Sequence, residues 1–262
     1  MDDEDRHVKR YADADRWKQA KEVHVYALLA AHGVTTIPDV VDVDTDTATT
    51  PLTRLPGVTV ADAGLGQDAE RDVYRQIGGL FADLHRIPQP EFGYLTTELV
   101  DPEPHNTAYM TRQFRRKLAE FAERGGDREV HRLATERVAE RSGLFGMCTG
   151  AVLCHNDLHE GNVLVTPAGD GWRVTGFVDV ENAIAADPLL DLAKTVQYDL
   201  SRSPAKFAGL VEGYGRLPSD GLARIELYRL YHALELWDWF AQIGNTAPLD
   251  DIQADIRALA TP

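Results

Sequence analysis

Three oxygen-bearing side chains stand where a short loop and a returning strand can bring them together. Residues 155–162, here called the polar loop, read HNDLHEGN and lie between two short apolar segments, and FVDVEN follows after a turn. A carboxylate such as Asp157 can orient an attacking hydroxyl and accept its proton. Asn162 and Asp179 offer the oxygen ligands that Mg²⁺ prefers. Because phosphoryl transfer needs these groups around one reacting phosphate, the pattern favours that chemistry.

The flanking segments predict the strands that hold the polar loop. The apolar runs at 151–154 and 162–166 have the length of short buried strands. The turn residues PAGDG at 167–171 predict a hairpin, and residues 172–178 form its returning strand. Such a hairpin brings Asp179 back to the end of the sheet at which the polar loop lies.

Most of the remaining chain is predicted to be helical from its apolar periodicity. Helices are predicted at 15–32, 68–86, 107–124, 127–142, 189–199, 204–214 and 221–242. Strands are predicted at 37–43 and 51–55, joined by a turn at 45–50. The fold class is therefore α+β, with a small lobe at 1–57 and a mostly helical lobe at 58–262 that contains the hairpin.

The composition limits the class of partner. The chain has 262 residues, a formal net charge of −15 and 44% hydrophobic residues. An acidic surface repels phosphates, so we expect no nucleic-acid partner, whereas a cationic acceptor would be steered toward the protein. No apolar run is long enough to span a bilayer, so we expect a cytoplasmic protein without membrane contact. The sequence does not distinguish a monomer from a homodimer.

The polar loop and the segment after it carry a family resemblance. HNDLHEGNVL resembles the HxDxxxxN catalytic loop of protein kinases, in the form typical of aminoglycoside phosphotransferases and related small-molecule kinases. FVDVENAIAADPLLDLA resembles the metal-binding segment of that family. The resemblance implies a bilobal, protein-kinase-like fold, ATP or GTP as phosphate donor and Mg²⁺ as cofactor. It makes Asp157 the catalytic base, and Asn162 and Asp179 the magnesium ligands.

The same resemblance implies roles for other polar residues of these two segments. His155 is expected to brace the polar loop, and Asp191 to bond backbone amides. Asp187 is expected to lie close to the loop and to face the substrate. His159 occupies a variable position, where contact with substrate or nucleotide is weighed against a solvated or packing role.

The N-terminal segment offers residues that would grip the phosphates. Kinases of this type use a lysine on a strand, paired with a glutamate on the next helix. HVKRY at 7–11 resembles the end of that strand, so Lys9 is the candidate lysine, and Glu22 in KEVHVYALLAAHG is the candidate glutamate. Lys18 and Lys21 compete for the lysine role, but both lie on the helix itself.

The chain before Lys9 is short for this family. It has no Gly-rich segment and no room for the usual pair of strands that covers the phosphates. The first hairpin is therefore predicted to be missing and the N-terminal lobe to be truncated. Further on, TRLPG at 53–57 resembles the segment after the lobe connection. This would place the backbone of 51–54, with Thr53 and Arg54, against the purine.

The helix at 221–242 carries the candidates for the acceptor site. Glu235 and Asp238 are three residues apart and share a helix face, where they could bind ammonium groups, while Trp237 and Trp239 could stack on a sugar or a base. A packed helix with solvated acids is the alternative. The expected acceptor is a hydroxyl of a small molecule, an antibiotic before others. A metabolic kinase of an amino alcohol or sugar, and a degenerate binding protein of the same fold, stay open.

Overall fold

The computed structural model describes residues 6–200 and 203–261. Within these ranges the strands are β1 (Arg6–Arg10), β2 (Thr49–Thr53), β3 (Val58–Thr59), β4 (Pro88–Gln89), β5 (Phe92–Leu95), β6 (Leu99–Glu103), β7 (Ala151–Cys154), β8 (Val163–Ala168), β9 (Gly171–Phe177) and β10 (Ile184–Ala186). The α-helices are α1 (Arg16–Ala31), α2 (Gln67–Leu84), α3 (Asn106–Glu123), α4 (Arg128–Arg141), α5 (Pro188–Thr195), α6 (Pro204–Tyr214), α7 (Gly221–Gln242) and α8 (Leu249–Ala260). None of these helices combines the length and the apolarity needed to cross a bilayer.

The N-terminal part pairs β1 antiparallel with β2, and α1 connects the two strands. Lys9 lies opposite Thr50 in this ladder. The strand predicted at 37–43 is wrong as a regular element, because this segment forms only an isolated bridge between Val40 and Leu52. Pro38 has no N–H with which to extend a ladder, which explains the short pairing.

Two further sheets surround the polar loop. β8 and β9 form the predicted hairpin, and β3 pairs with the outer edge of β8. The hairpin turns at Gly169, whose φ of +59° suits glycine. A five-stranded sheet has the order β4-β7-β10-β5-β6, so that β10 lies between β7 and β5. The carboxyl end of β7 leads directly into the polar loop, and β9 leads to Asp179.

The helices pack below these sheets around one apolar core. α2 buries Tyr74 and Phe81, which are fully inaccessible to solvent. α2 and α6 approach closely because small residues face each other: a Cβ on Gly78 would lie 2.2 Å from the Leu210 carbonyl oxygen. The predicted helices occur at their expected places to within a few residues. β3, β4, β5, β6, β10 and α8 were not predicted.

Candidate functional site

Two cavities open on either side of the polar loop. The strand-side cavity has a volume of about 520 Å³ and the helix-side cavity a volume of about 840 Å³. Asn162 and Asp179 line the first, and Asp157 lines the second. The strand-side cavity is also lined by Lys9, Glu22, Tyr26, Thr53, Arg54 and Gly57. The polar loop thus forms a boundary at which groups from both cavities meet.

β1 carries Lys9 into a cluster of carboxylates. Its Nζ lies 3.0 Å from Glu22 Oε2 and 2.6 Å from Asp179 Oδ1. The same Nζ lies 3.0 Å from Glu181 Oε2. Although burial opposes the charge, Glu22 and then Asp179 raise the pKa of Lys9 above its ordinary value. The buried Tyr11 hydroxyl donates to Glu22, so the lysine and its partner are both fixed.

Asp179 follows β9 in a left-handed backbone conformation, with φ of +66°. This conformation is uncommon for a residue other than glycine and is often found at functional positions. The Asp179 N–H donates to the Tyr26 hydroxyl at 3.2 Å, which anchors the turn to α1. The side chain is 37% exposed, so its carboxylate is accessible from the strand-side cavity.

Asp191 on α5 braces the start of the polar loop. Its Oδ2 accepts from the His155 N–H at 2.7 Å and its Oδ1 accepts from the Asn156 N–H at 2.7 Å. Burial opposes the charge of this carboxylate, but the hydrogen bond and charge of His85 still hold its pKa below the usual range. His155 Nε2 donates to the Val178 carbonyl oxygen at 3.1 Å, which ties the loop to the end of β9. The loop is therefore attached both to α5 and to the end of β9.

Asp157 projects from the polar loop toward the helix-side cavity. Its Oδ2 accepts from Asn182 Nδ2 at 2.9 Å. Its Oδ1 lies 3.9 Å from Lys194 Nζ on α5. These contacts fix the direction of the carboxylate and leave it 21% exposed, which is sufficient to receive a proton from a bound hydroxyl.

Asn162 and Asp179 form a donor set that suits Mg²⁺. Asn162 Nδ2 donates to the Asp157 carbonyl oxygen at 2.9 Å, so the amide oxygen points away from that bond. A carboxylate and an amide oxygen are hard ligands of the kind that Mg²⁺ takes, usually together with phosphate oxygens and water. Both residues line the strand-side cavity with Lys9, so the residues present fit this ion.

The floor of the helix-side cavity contains an ion pair between a buried lysine and a partly exposed glutamate. Lys194 Nζ lies 3.2 Å from Glu235 Oε2, and His232 Nδ1 lies 3.1 Å from the same oxygen. Although burial opposes its charge, Lys194 and then His232 hold the pKa of Glu235 well below its usual range. Burial likewise opposes the charge of Lys194, but Glu235 raises the pKa of that lysine. The pair is therefore ionised within the cavity wall.

Two predicted substrate contacts need correction. Asp187 is fully buried: it caps α5, and its Oδ2 accepts from Arg224 at 2.9 Å and from the Tyr228 hydroxyl at 2.7 Å. It therefore does not face a substrate. Asp238 is also buried, and it pairs with Lys117 at 3.0 Å and with Arg124 at 2.6 Å.

The two acids of α7 separate because of the neighbours that each one meets. Glu235 lines the helix-side cavity, whereas Asp238 is directed toward α3, whose Lys117 neutralises it. Trp237 packs against Phe121 with ring centroids 4.5 Å apart and belongs to the core. Trp239 lines the cavity.

The remaining predicted residues lie as follows. Thr53 and Arg54 line the strand-side cavity. Thr53 uses its N–H and its hydroxyl in hydrogen bonds with Asp39, and Arg54 Nε donates to the Arg6 carbonyl oxygen. His159 lines the helix-side cavity, and its Nδ1 accepts from the Gly161 N–H at 3.0 Å.

The competing lysines on α1 take other partners. Lys18 pairs with Glu181 at 3.2 Å. Lys21 is fully buried with its Nζ 4.0 Å from the centroid of the Tyr94 ring, and burial lowers its pKa to about 7. Sequence reasoning did not assign Glu181, Asn182 or Lys194 to the site. Glu181 and Asn182 stand two and three residues after Asp179, and this closeness could have indicated them. No feature of the sequence indicated Lys194.

Comparison with known proteins identifies the family of the chain. Residues 2–228 match the profile of the phosphotransferase enzyme family. The chain therefore belongs to that family of phosphotransferases. The comparison with curated proteins gives no match.

Solved structures show a likeness of fold. The GDP complex of a mutant aminoglycoside 2′-phosphotransferase has a TM-score of 0.74 and 13% identity, over 98% of this chain and 85% of that one. A choline/ethanolamine kinase family protein from Mesorhizobium loti has a TM-score of 0.69 and 19% identity, over 98% and 83% of the two chains. A ternary complex of a thermostable aminoglycoside phosphotransferase mutant with ADP and hygromycin B has a TM-score of 0.71 and 17% identity, over 97% and 85%. The predicted α+β, protein-kinase-like fold is thus confirmed.

Proposed function

We propose that this protein transfers the γ-phosphoryl group of ATP or GTP to a hydroxyl of a small molecule, between the two cavities that meet at the polar loop. The observation that carries the proposal is the convergence of Asp157, Asn162 and Asp179 at that boundary, with Lys9 beside Asp179. The nucleotide occupies the strand-side cavity and the acceptor occupies the helix-side cavity.

Asp157 acts as the base in this proposal. The acceptor O–H bond breaks, its proton passes to the Asp157 carboxylate, and the acceptor oxygen bonds to the γ-phosphorus. The bond from that phosphorus to the bridging oxygen breaks, and the nucleoside diphosphate leaves with the electron pair. Asn182 holds the receiving carboxylate through Nδ2 at 2.9 Å. Asp157 of the polar loop thus accepts the proton, and Asn182 keeps the Asp157 carboxylate aligned.

Lys9, Asn162 and Asp179 act on the donor side. Lys9 is charged and fixed by Glu22, so it can bind phosphate oxygens without losing further side-chain freedom. Asn162 and Asp179 would hold Mg²⁺, which neutralises charge on the phosphates when bound. Because Lys9 is already paired with Asp179 at 2.6 Å, we infer that nucleotide binding redistributes this ion pair.

The class of acceptor is also a proposal. Fold similarity to enzymes crystallised with hygromycin B favours an antibiotic, and similarity to a choline/ethanolamine kinase family protein favours a metabolic amino alcohol. A degenerate binding protein is less favoured, because Asp157, Asn162 and Asp179 are arranged for catalysis as well as for binding. The two enzyme alternatives differ in acceptor and share one mechanism.

The test uses the full chain with Mg²⁺, ATP or GTP and a panel of hydroxylated antibiotics together with choline and ethanolamine. We expect one acceptor to gain the mass of one phosphate. Asp157→Asn should lower the rate by about 10³-fold or more while nucleotide still binds in calorimetry. Asp83→Asn, a change at an exposed aspartate paired with Arg86, is the matched control and should retain the rate. An undiminished rate in Asp157→Asn would refute the base, and absence of nucleotide binding by the unmodified protein would refute the kinase.

A further inference from the structure

We propose that the acceptor alcohol carries no ammonium group and binds in the helix-side cavity through an uncharged, largely aromatic or apolar body. This inference rests on the proposed function. It starts from the charge balance of the cavity wall. Among the described lining residues, cationic and anionic side chains are equal in number: Lys18, Arg116 and Lys194 against Asp157, Glu181 and Glu235.

The carboxylate nearest the phosphate side is already neutralised. Glu181 Oε2 lies 3.0 Å from Lys9 Nζ and its Oε1 lies 3.2 Å from Lys18 Nζ. Both oxygens therefore have an ammonium partner in the protein without nucleotide, and Lys18, which lines this cavity, keeps that role when Lys9 binds phosphate oxygens. A substrate ammonium at this place would have to displace a lysine, and it would leave that lysine without its partner.

The carboxylate on the cavity floor is neutralised in the same way. Glu235 bonds Lys194 at 3.2 Å and His232 at 3.1 Å. Lys194 also lies 3.9 Å from Asp157 Oδ1, so a positive charge already stands between the two acids that an ammonium group would seek. Transfer of an unpaired ammonium from water into such a wall is unfavourable. In this proposal Glu235 therefore does not bind a substrate ammonium group, in contrast to the role predicted from the sequence.

Aromatic faces are the other means of binding a cation, and two of them are already used. Lys21 Nζ lies 4.0 Å from the Tyr94 ring centroid, and Lys194 Nζ lies 5.6 Å from that of Tyr198. Trp239, 50% exposed, leaves an indole surface available in the same cavity. This surface suits the stacking of a flat uncharged body.

Size and long-range charge agree with this interpretation. A volume of about 840 Å³ is that of a cavity for a drug-sized ligand. The net charge of −15 steers cations toward the surface as a whole. At physiological ionic strength, however, acids more than about 8 Å away are largely screened, so the local balance of the wall decides which ligand stays bound.

The test compares two forms of one nitrophenyl aminopropanediol, the uncharged N-acetyl form and the cationic free amine, with kanamycin and choline as further probes. Binding is measured by calorimetry and by the change in intrinsic tryptophan fluorescence that is lost in Trp239→Phe, in the presence of Mg²⁺ and a non-hydrolysable ATP analogue. We expect the N-acetyl form to bind about tenfold or more tightly than the free amine, a difference of about 1.4 kcal/mol. Equal or tighter binding of the free amine, of kanamycin or of choline would overturn the proposal, and so would no binding of the N-acetyl form.

A substitution that removes one charge from the cavity wall tests whether that charge causes the preference for the uncharged ligand. Lys194→Met leaves Glu235 without its ammonium partner, so the free amine should gain about tenfold in affinity while the N-acetyl form is unchanged. Arg86→Met is the control, because Arg86 is exposed, pairs with Asp83 and does not line the cavity. An unchanged preference in a Lys194→Met protein with native circular dichroism would contradict the proposal. If that variant does not fold, the comparison of the two ligand forms on the unmodified protein decides.

The test of the acceptor class and the test of the kinase activity can fail independently. Acceptor binding needs no turnover, whereas ATP binding and phosphate transfer test the kinase. Selective binding of the N-acetyl form without any phosphate transfer would refute the kinase and support the acceptor class. Transfer of phosphate to kanamycin in preference to uncharged alcohols would support the kinase and refute the acceptor class.

Discussion

Replacement of Asp191 by asparagine should destabilise the fold and misplace the polar loop. In the structure the two carboxylate oxygens accept from the N–H groups of His155 and Asn156, each at 2.7 Å, and His85 Nε2 lies 3.2 Å from Oδ2. An asparagine offers only one acceptor oxygen in this position. Its NH₂ group would face the second backbone N–H, so one buried donor would lose its partner.

The expected cost follows from two effects. A buried donor left without a partner costs about 1–3 kcal/mol, and a hydrogen bond to a charged acceptor contributes about 1.5–3 kcal/mol. We therefore expect Asp191→Asn to lower the free energy of unfolding by about 3–5 kcal/mol, which for a chain of this size lowers Tm by about 10 °C. Because the loop also holds Asp157, kcat should fall about 10²-fold, the effect of a displacement of about 1 Å.

Urea unfolding at constant ionic strength, together with the phosphate-transfer rate, measures both effects. Asp83→Asn is the control, since its partner Arg86 is exposed and such surface pairs contribute at most about 1 kcal/mol. The reasoning would be refuted by a loss below about 1 kcal/mol in Asp191→Asn. The folded-state pKa of Asp191 is depressed, so its contribution is present above the unfolded pKa of about 3.9 and is lost as pH falls through the folded value. The difference from the asparagine variant should thus be constant from neutral to mildly acidic pH and shrink below about pH 4.

The remaining predictions concern a buried lysine, a glycine and a buried hydroxyl. Lys21→Met should raise stability at pH 7 by about 2 kcal/mol, because a burial-lowered pKa of about 7 disfavours folding and the Tyr94 ring offsets only part of this cost. Between pH 7 and about 10.4 the unfolded chain holds a proton on Lys21 that the folded chain has lost. The gain in free energy of unfolding, measured by urea titration, should therefore shrink as pH rises through that window. A gain that does not depend on pH would contradict this explanation. Gly57→Ala, at φ +111° with its Cβ 2.2 Å from the Val165 carbonyl oxygen, should lower stability by about 2 kcal/mol or more and weaken ADP binding in calorimetry; unchanged Tm and affinity would refute the clash. Thr195→Val removes a buried 2.6 Å hydrogen bond to a carbonyl of the polar loop and should cost about 1–3 kcal/mol and lower kcat with little change in nucleotide KM, whereas a rise in KM alone would speak against it.

Local pattern was sufficient for most helices and for the hairpin. α2 has its apolar residues on one face, and the turn at Gly169 has the residues that a tight hairpin needs. The five-stranded sheet was missed because β10 has only three residues and pairs with β5 and β7, which are distant in sequence. Such a short strand has neither a hydrophobic periodicity nor flanking turn residues by which it could be predicted. For α8 a signal existed, since Ile252, Ile256 and Leu259 lie at helical spacing.

The candidate site divides in the same way. The order and spacing of the polar loop and Asp179 were sufficient to predict that their side chains lie near each other, at the boundary between the two cavities. Lys194 was not predicted, because a single lysine on a helix gives no pattern that separates a solvated residue from a buried one. Asp238 was misassigned since helical spacing from Glu235 tells which residues are neighbours on α7 but not which element faces them.

One short helix connects these findings. α5 spans Pro188–Thr195, and three of its side chains act on the polar loop: Asp191 holds two backbone N–H groups, Lys194 stands beside Asp157, and Thr195 holds a loop carbonyl. Asp187 caps this helix and is clamped by α7 through Arg224 and Tyr228. The residue first expected to face substrate therefore acts on the helix that positions the loop. A change at Asp187 should lower activity through the position of α5, and its effect should appear in kcat and stability together, without a selective loss of acceptor affinity.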